Sequence, residues 1–237
     1  MVELSVLDLR GNNFTGSLPP LCAHSTSLST IVLNGNGFEG PVPVSLLNCH
    51  GLEVLDIGNN AINHTFPAWL GTLEELQVLI LKSNKFHGPI KVFQNFKTMI
   101  KYDTNKGGIG YMKKSLNSSY IMYEVSVRLV IKGNDIELER ITTIMTTINL
   151  SSNHFEGVVP KTLKDLGSLW LLNLSFNNLT GDIPMELEQL NMLEALDISW
   201  NRLTGRIPQE LTRLTFLAKL NLSQNLLVGS IPRGPQF

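Results

Sequence analysis

GGIGYMKKS, residues 107–115, is the stretch of this chain that comes nearest to a phosphate cradle. Such a loop needs glycines that free backbone N–H groups, a lysine directly after the last glycine, and a hydroxyl. Here Lys113 follows Met112, so G-x-x-x-x-G-K-[ST] is not met, and no dinucleotide fingerprint opens a helix after it. The histidines, His24, His50, His64, His87 and His154, have no metal-ligand spacing. Glu74–Glu75 and Glu137/Glu139 read as solvated acids rather than as an acid/base pair. No catalytic residue, metal or cofactor is expected, and the chain is not read as an enzyme. Cys22 and Cys49 are too few for a disulfide framework or a metal cluster. Two buried thiols are the simpler reading; a bond between them stays open if the compartment is extracellular.

The 237 residues are 43% hydrophobic and only 16% charged, against about 25% charged in an average domain. A net charge of −1 gives no reason to expect a nucleic-acid or anionic-membrane partner. No apolar run reaches the roughly 18 residues that a bilayer span needs, and the start, MVELSVLDLRGNN, does not read as a signal peptide.

The elements come from a repeat. LDLRGNNFTGSLP, IVLNGNGFEGPVP, LDIGNNAINHTFP and LILKSNKFHGPIK align with INLSSNHFEGVVP, LNLSFNNLTGDIP, LDISWNRLTGRIP and LNLSQNLLVGSIP. One asparagine recurs every 24 residues at Asn12, Asn36, Asn60 and Asn84, and again at Asn153, Asn177, Asn201 and Asn225. A fixed period of 20–29 marks a leucine-rich-repeat solenoid. Leu172 and Leu174 alternate with Asn173 and Ser175, a short strand with its apolar side inward. The recurring asparagine then turns in and satisfies backbone groups that burial would leave unpaired. Stacked along the chain, these side chains form a ladder. Gly181 permits an unusual backbone angle, and Pro184 closes the segment. Leu187, Leu190 and Leu193 then follow at intervals of three, which suits a 3₁₀-like return. His64 replaces the glycine of one repeat, and Lys91 the proline of the next.

Asn84 and Asn153 are 69 residues apart, so 45 residues are additional to one repeat. The insertion is expected within 92–144, between four coils in 1–91 and four in 145–237. It holds all four tyrosines, Tyr102, Tyr111, Tyr120 and Tyr123, and eight basic against five acidic residues. Val125, Val127, Leu129 and Ile131, then KGND, then Ile136 and Leu138 predict a β-hairpin. A plain linker would not carry a hairpin and four tyrosines.

The repeat resembles the plant extracellular leucine-rich repeat, L-x-x-L-x-L-x-x-N-x-L-x-G-x-I-P, over all of the chain except its middle. The insertion is similar to the island of plant leucine-rich-repeat receptor-like proteins. That family pairs Y-x-x-S-V, as in Tyr123–Val127, with K-G, as in Lys132–Gly133, and ends four repeats later in I-P-x-G-x-Q-F, as in Ile231–Phe237. The resemblance implies an α/β leucine-rich-repeat solenoid, curved into a right-handed superhelix with a concave parallel β-sheet and a second short sheet beside it. It also implies a cell-surface immune or developmental receptor without its own kinase, on the extracellular side of the plasma membrane. Its ligand would be a peptide or a secreted protein, and its partners an adaptor kinase and a leucine-rich-repeat co-receptor kinase. Membrane attachment would run only through a transmembrane helix that this chain does not contain. The alternatives are a soluble inhibitor of secreted enzymes, like the polygalacturonase-inhibiting proteins, the ectodomain of a receptor kinase, and a remnant that does not fold alone. The chain reads as a piece of a longer receptor, with uncapped ends.

Two surfaces are expected to meet partners. One is the island over 102–123, with Tyr102, Tyr111, Tyr120 and Tyr123 beside Lys113 and Lys114, because tyrosine gives large contact area at low entropy cost; the hairpin 123–138 would anchor it. The other is the concave row of outward positions, Asp8, Arg10, Val32, Asp56, Ile80, Lys82, Asn173 and Asp197. Seven N-x-[ST] sequons are glycan candidates: Asn13, Asn63, Asn117, Asn149, Asn173, Asn178 and Asn221. Asn149, Asn173 and Asn221 arise from the repeat template L-N-L-S, whereas Asn63 and Asn117 do not.

Overall fold

A computed structural model describes residues 4–22, 27–91, 96–100, 113–115, 122–124, 127–131, 134–138 and 145–234. Eight short strands form one parallel sheet in chain order: Val6–Asp8, Thr30–Val32, Val54–Asp56, Val78–Ile80, Thr146–Asn149, Leu169–Asn173, Ala195–Asp197 and Lys219–Asn221. Each belongs to one coil, numbered here 1 to 8. The fold is a leucine-rich-repeat solenoid, as the period implies.

One coil shows why. Leu172 and Leu174 point into the core from the strand, Leu179 from the second sheet, and Leu187, Leu190 and Leu193 from the return; all six are fully buried. Each such side chain contributes roughly 1.5–3 kcal/mol when it leaves water. The returns Val44–Asn48, Ala68–Thr72, Lys161–Asp165, Met185–Gln189 and Gln209–Arg213 are 3₁₀ helices, each opened by a proline. Three residues per turn bring leucines spaced by three onto one face. Where Lys91 stands in place of proline, the return is instead a short α-helix, Lys97–Ile100, with Phe96 and Met99 fully buried.

The asparagine ladder is present in full. Asn177 Nδ2 donates to the carbonyls of Leu150, Leu174 and Ser175, each at 3.1 Å, and its Oδ1 accepts the Phe155 N–H at 3.0 Å. Two of these four partners lie on the preceding coil, so the side chain joins coils as well as closing its own turn. The residue before each ladder asparagine is left-handed, with φ from 50° at Asn59 to 69° at Gly35.

The insertion does not interrupt this stack. Val78–Ile80 pairs directly with Thr146–Asn149, Leu79 opposite Ile148. Asn153 donates to Leu81 O at 3.0 Å and accepts from Phe86 N at 3.0 Å, the same ladder step across 67–72 residues of sequence. Residues 96–100, inside the span expected for the insertion, belong to coil 4: Thr98 N donates to Glu74 O, and Met99 O accepts from Ser168 N. In the island, Val127–Ile131 pairs antiparallel with Asn134–Leu138, the expected hairpin. A second antiparallel pair, Lys113–Ser115 with Met122–Glu124, was not expected from the sequence.

The second sheet is split into Thr15–Ser17, Gly37–Gly40 and Ala61–Ile62, and into His87–Pro89, His154–Val158, Asn178–Asp182 and Arg202–Thr204. The Thr65–His87 bridge and the hydrogen bonds from Lys85 N to Ile62 O and from His87 N to His64 O span the gap. The break falls at His64. At that slot Gly16, Gly40, Gly88, Gly157, Gly181, Gly205 and Gly229 all take φ between 72° and 90°. His64 does not enter this left-handed region, which a side chain rarely adopts.

Cys22 and Cys49 are joined by a disulfide, Cα–Cα 5.7 Å. This corrects the simpler expectation of two buried thiols. Asn48 Nδ2 donates to Cys22 O at 3.3 Å, so the two returns are already in register where the bond forms.

Candidate partner-binding surface

Much of the concave row expected to meet partners is covered by its own neighbours. Val32, Asp56, Ile80, Lys82, Asn149 and Asn173 are buried. Strands roughly 4.8 Å apart bring the outward side chains of adjacent coils into lateral contact. Asn34 Nδ2 donates to Asp56 Oδ2, and Gly58 N donates to Asp56 Oδ1. Burial pushes the Asp56 carboxyl above its ordinary value; the Asn34 and Gly58 hydrogen bonds and the charges of Lys82 and Arg10 oppose the rise. At coil 1, Asp8 and Arg10 pair by two-pronged contact, at 2.7 Å for the shortest, and remain partly open.

A recess of the concave face lies on coils 5 to 8. Of about 280 Å³, it is floored by Ser151, Ser175 and Ser199 and walled by Asn173, Asp197, Lys219 and Asn221. Its rim carries Phe176 and Trp200, each about half exposed, with ring centroids 5.2 Å apart and planes 11° from parallel. Both sit at the left-handed turn position, φ 54° and 52°. The same slot is left-handed in every coil, so the repeat and not these side chains sets the angle. These two residues were not singled out from the sequence. The available signal was two aromatics, 24 residues apart, each directly before a ladder asparagine.

On the flank, His87 and His154 are cross-strand partners and line a recess of about 530 Å³ with Glu156. Among the described residues, no group of three His, Cys, Asp or Glu could hold a metal ion, and no helix is long and apolar enough to cross a membrane. Tyr102, Tyr111 and Tyr120 lie outside the described residues, as does Asn117. Tyr123 and Lys114 are register partners, with Lys113 opposite Glu124, though their side chains lie outside the described part.

Residues 26–86 and 144–203 match the family described as leucine rich repeat, and residues 3–25 match a second model of the same repeat. This chain is a leucine-rich-repeat protein. It is 38% identical over 85 residues to Receptor-like protein 19 of Arabidopsis thaliana, covering 34% of this chain and 8% of that protein. It is 39% identical over 111 residues to Receptor-like protein 34 of the same plant, covering 38% and 12%. Among solved structures, the plant peptide hormone receptor RGFR1 in complex with RGF2 superposes with TM-score 0.75 at 29% identity, covering 98% of this chain and 30% of that one. The ectodomain of the Arabidopsis thaliana receptor kinase GASSHO1/SCHENGEN3, in complex with CASPARIAN STRIP INTEGRITY FACTOR 2, gives 0.74 at 25% identity, covering 96% and 22%. The leucine-rich-repeat protein described here thus spans about a tenth of its curated relatives and under a third of these neighbours.

Proposed function

We propose that this chain is a non-catalytic recognition segment of a plant receptor-like protein, exposed on the cell surface in immune or developmental sensing. It contributes to binding a peptide or secreted protein and to contact with a co-receptor kinase. The observation that carries the reading is the Phe176–Trp200 stack, exposed beside a polar concave recess. Aromatic side chains are enriched at protein interfaces, with tryptophan prominent among the anchors that a partner covers. Likeness to receptor-like proteins and to a receptor solved with a peptide hormone supports the same direction. The island over 102–123 is proposed as a second contact, and 1–91, 92–144 and 145–237 as the organisation into coils, island and coils. Within that island span, residues 96–100 pack as part of coil 4.

The test uses the full receptor. Phe176→Ala and Trp200→Ala are made together, with Tyr111, Tyr120, Lys113 and Lys114 to Ala as a separate set. Binding of a leucine-rich-repeat co-receptor ectodomain is then measured. Loss of a true anchor costs about 2 kcal/mol or more, roughly 30-fold in affinity. Unchanged binding by both variants, with unchanged circular dichroism, sinks the reading.

A further inference from the structure

The sequons divide into two groups by their place in the coil. Asn149 and Asn173 lie in the main sheet, and both are buried. Their Oδ1 atoms accept from the hydroxyl of the sequon serine itself, Ser151 and Ser175, at 2.8 Å each. The Asn149 Nδ2, the atom a glycan would need, is inaccessible. Asn221 is partly exposed, but its Nδ2 donates to Asp197 Oδ2 and to Ser199 Oγ, both at 3.1 Å. In this group the sequon side chain is held by its own turn at Asn149 and Asn173 and by the preceding coil at Asn221.

Asn13, Asn63 and Asn178 are different. All three are exposed, and their sequon threonines, Thr15, Thr65 and Thr180, are exposed with them. They lie along the second sheet: Asn13 just before Thr15–Ser17, Asn63 just after Ala61–Ile62, and Asn178 at the start of Asn178–Asp182. They therefore occupy one flank, on coils 1, 3 and 6. At a strand spacing of roughly 4.8 Å, the intervals are about 10 and 14 Å. A glycan on each projects away from the core without displacing a ladder bond.

We infer that this flank is a glycan-bearing face, with N-linked sugars on Asn13, Asn63 and Asn178 and none on Asn149, Asn173 or Asn221. The inference rests on the extracellular reading above. The donor is a polyprenyl-pyrophosphate-linked oligosaccharide. The asparagine Nδ2 bonds to the anomeric carbon of the first sugar, the bond from that carbon to the pyrophosphate oxygen breaks, and the lipid pyrophosphate leaves. One amide proton passes to a base of the transferring enzyme. The sugars would sheathe the second-sheet flank and leave the concave recess of the last coils open to partners.

The experiment has two arms. In the first, the full chain, folded and free of sugar, is treated with a purified single-subunit oligosaccharyltransferase and a lipid-linked oligosaccharide. Sites are mapped by enzymatic release in ¹⁸O water and peptide mass spectrometry. Transfer to Asn13, Asn63 and Asn178, and not to Asn149, Asn173 or Asn221, is the expected result. The single variants N13Q, N63Q and N178Q should each lose one mobility step, and N149Q and N173Q none. Transfer to Asn149 or Asn173 in a chain that keeps its native circular dichroism, or failure at any of the three flank sites, overturns the proposal. In the second arm the chain is secreted from plant cells and mapped in the same way. Occupancy of the same three sites supports both readings. Absence of all sugar in cells, with full transfer in the first arm, supports the site assignment and counts against the extracellular reading alone.

Discussion

Asn153 shows what a single side chain does in this fold. It is buried, donates to Leu81, Leu150 and Ser151 carbonyls, and accepts from Phe86, so it closes its own turn and fastens coil 5 to coil 4. Asn153→Ala leaves the Phe86 N–H without its partner and takes one donor each from the Leu81, Leu150 and Ser151 carbonyls, which keep Asn84 Nδ2, Asn177 Nδ2 and Ser83 N; this costs about 1–3 kcal/mol. Asn12 is exposed and donates only within its own coil, to Leu9 and Arg10 carbonyls. Water can replace it there, so Asn12→Ala should cost less than about 1 kcal/mol. Urea unfolding of the two variants checks the contrast, and equal losses would refute the ladder argument. Asp56 gives a pH effect. Burial raises its pKa above the ordinary 3.8, so the folded state holds this proton more tightly than the unfolded chain. Its contribution to stability is therefore greatest below 3.8 and is lost as pH rises through the raised value. Asp56→Asn removes the dependence. The stability of the variant relative to the native chain should rise between about pH 3.5 and 7, and a flat difference across that range would show the carboxyl to be unperturbed.

At the scale of the coil, most of the structure was legible because each repeat restates it. Leucines at intervals of three gave the 3₁₀ return, and the asparagine at intervals of 24 gave the ladder. Three features were not legible, each for a physical reason. Cys22 and Cys49 occupy slots offset by three positions in the template, so pattern alone did not place their Cα atoms 5.7 Å apart. The concave row looked solvent-facing because strand alternation assigns a side but not an accessibility, and lateral packing then buries Val32, Asp56 and Ile80. Phe176 and Trp200 offered only their type and their 24-residue spacing, since the left-handed turn that presents them is set by backbone and is filled elsewhere by Gly11, Ser83 or Gln224. The disulfide closes a loop of 27 residues. Chain entropy gives such a cross-link about 3.5 kcal/mol. Cys22→Ser should lower stability by about that amount, and adding a reductant to the native chain should reproduce the loss. A chain whose urea midpoint is indifferent to reductant would mean that the Asn48 contact and the surrounding leucines already hold these returns in place.

For the whole molecule, the question is whether the island is part of the solenoid's stability or a passenger on it. Leu52, Leu76, Leu169, Leu193 and Leu217 each follow a ladder asparagine by 16 residues, and Ile100 follows Asn84 by the same interval. Thr146 precedes Asn153 by seven, as Glu194 precedes Asn201. Joining Ile100 to Thr146 therefore removes 45 residues and restores the period of 24. The missing proline at Lys91 marks the break in the sequence pattern, but Phe96 and Met99 still fill the convex core of coil 4. On both sides of the cut the backbone is already fixed: Thr98 N to Glu74 O behind, Ser168 N to Met99 O ahead, and Thr147 N to Gln77 O at the strand. Deleting 101–145 should thus leave a cooperatively unfolding solenoid with the far-ultraviolet spectrum of the native chain less its island hairpins. Closing a shorter loop is entropically easier, by only about 0.6 kcal/mol per halving of loop length, so stability should stay within about 1–2 kcal/mol of the native chain. Two separate unfolding transitions, or an unfolded product, would mean that the island itself holds coils 4 and 5 together. The same deletion should abolish whatever binding depends on Tyr111 and Tyr120 while sparing binding that depends on Phe176 and Trp200, which separates the two proposed contact surfaces in one molecule.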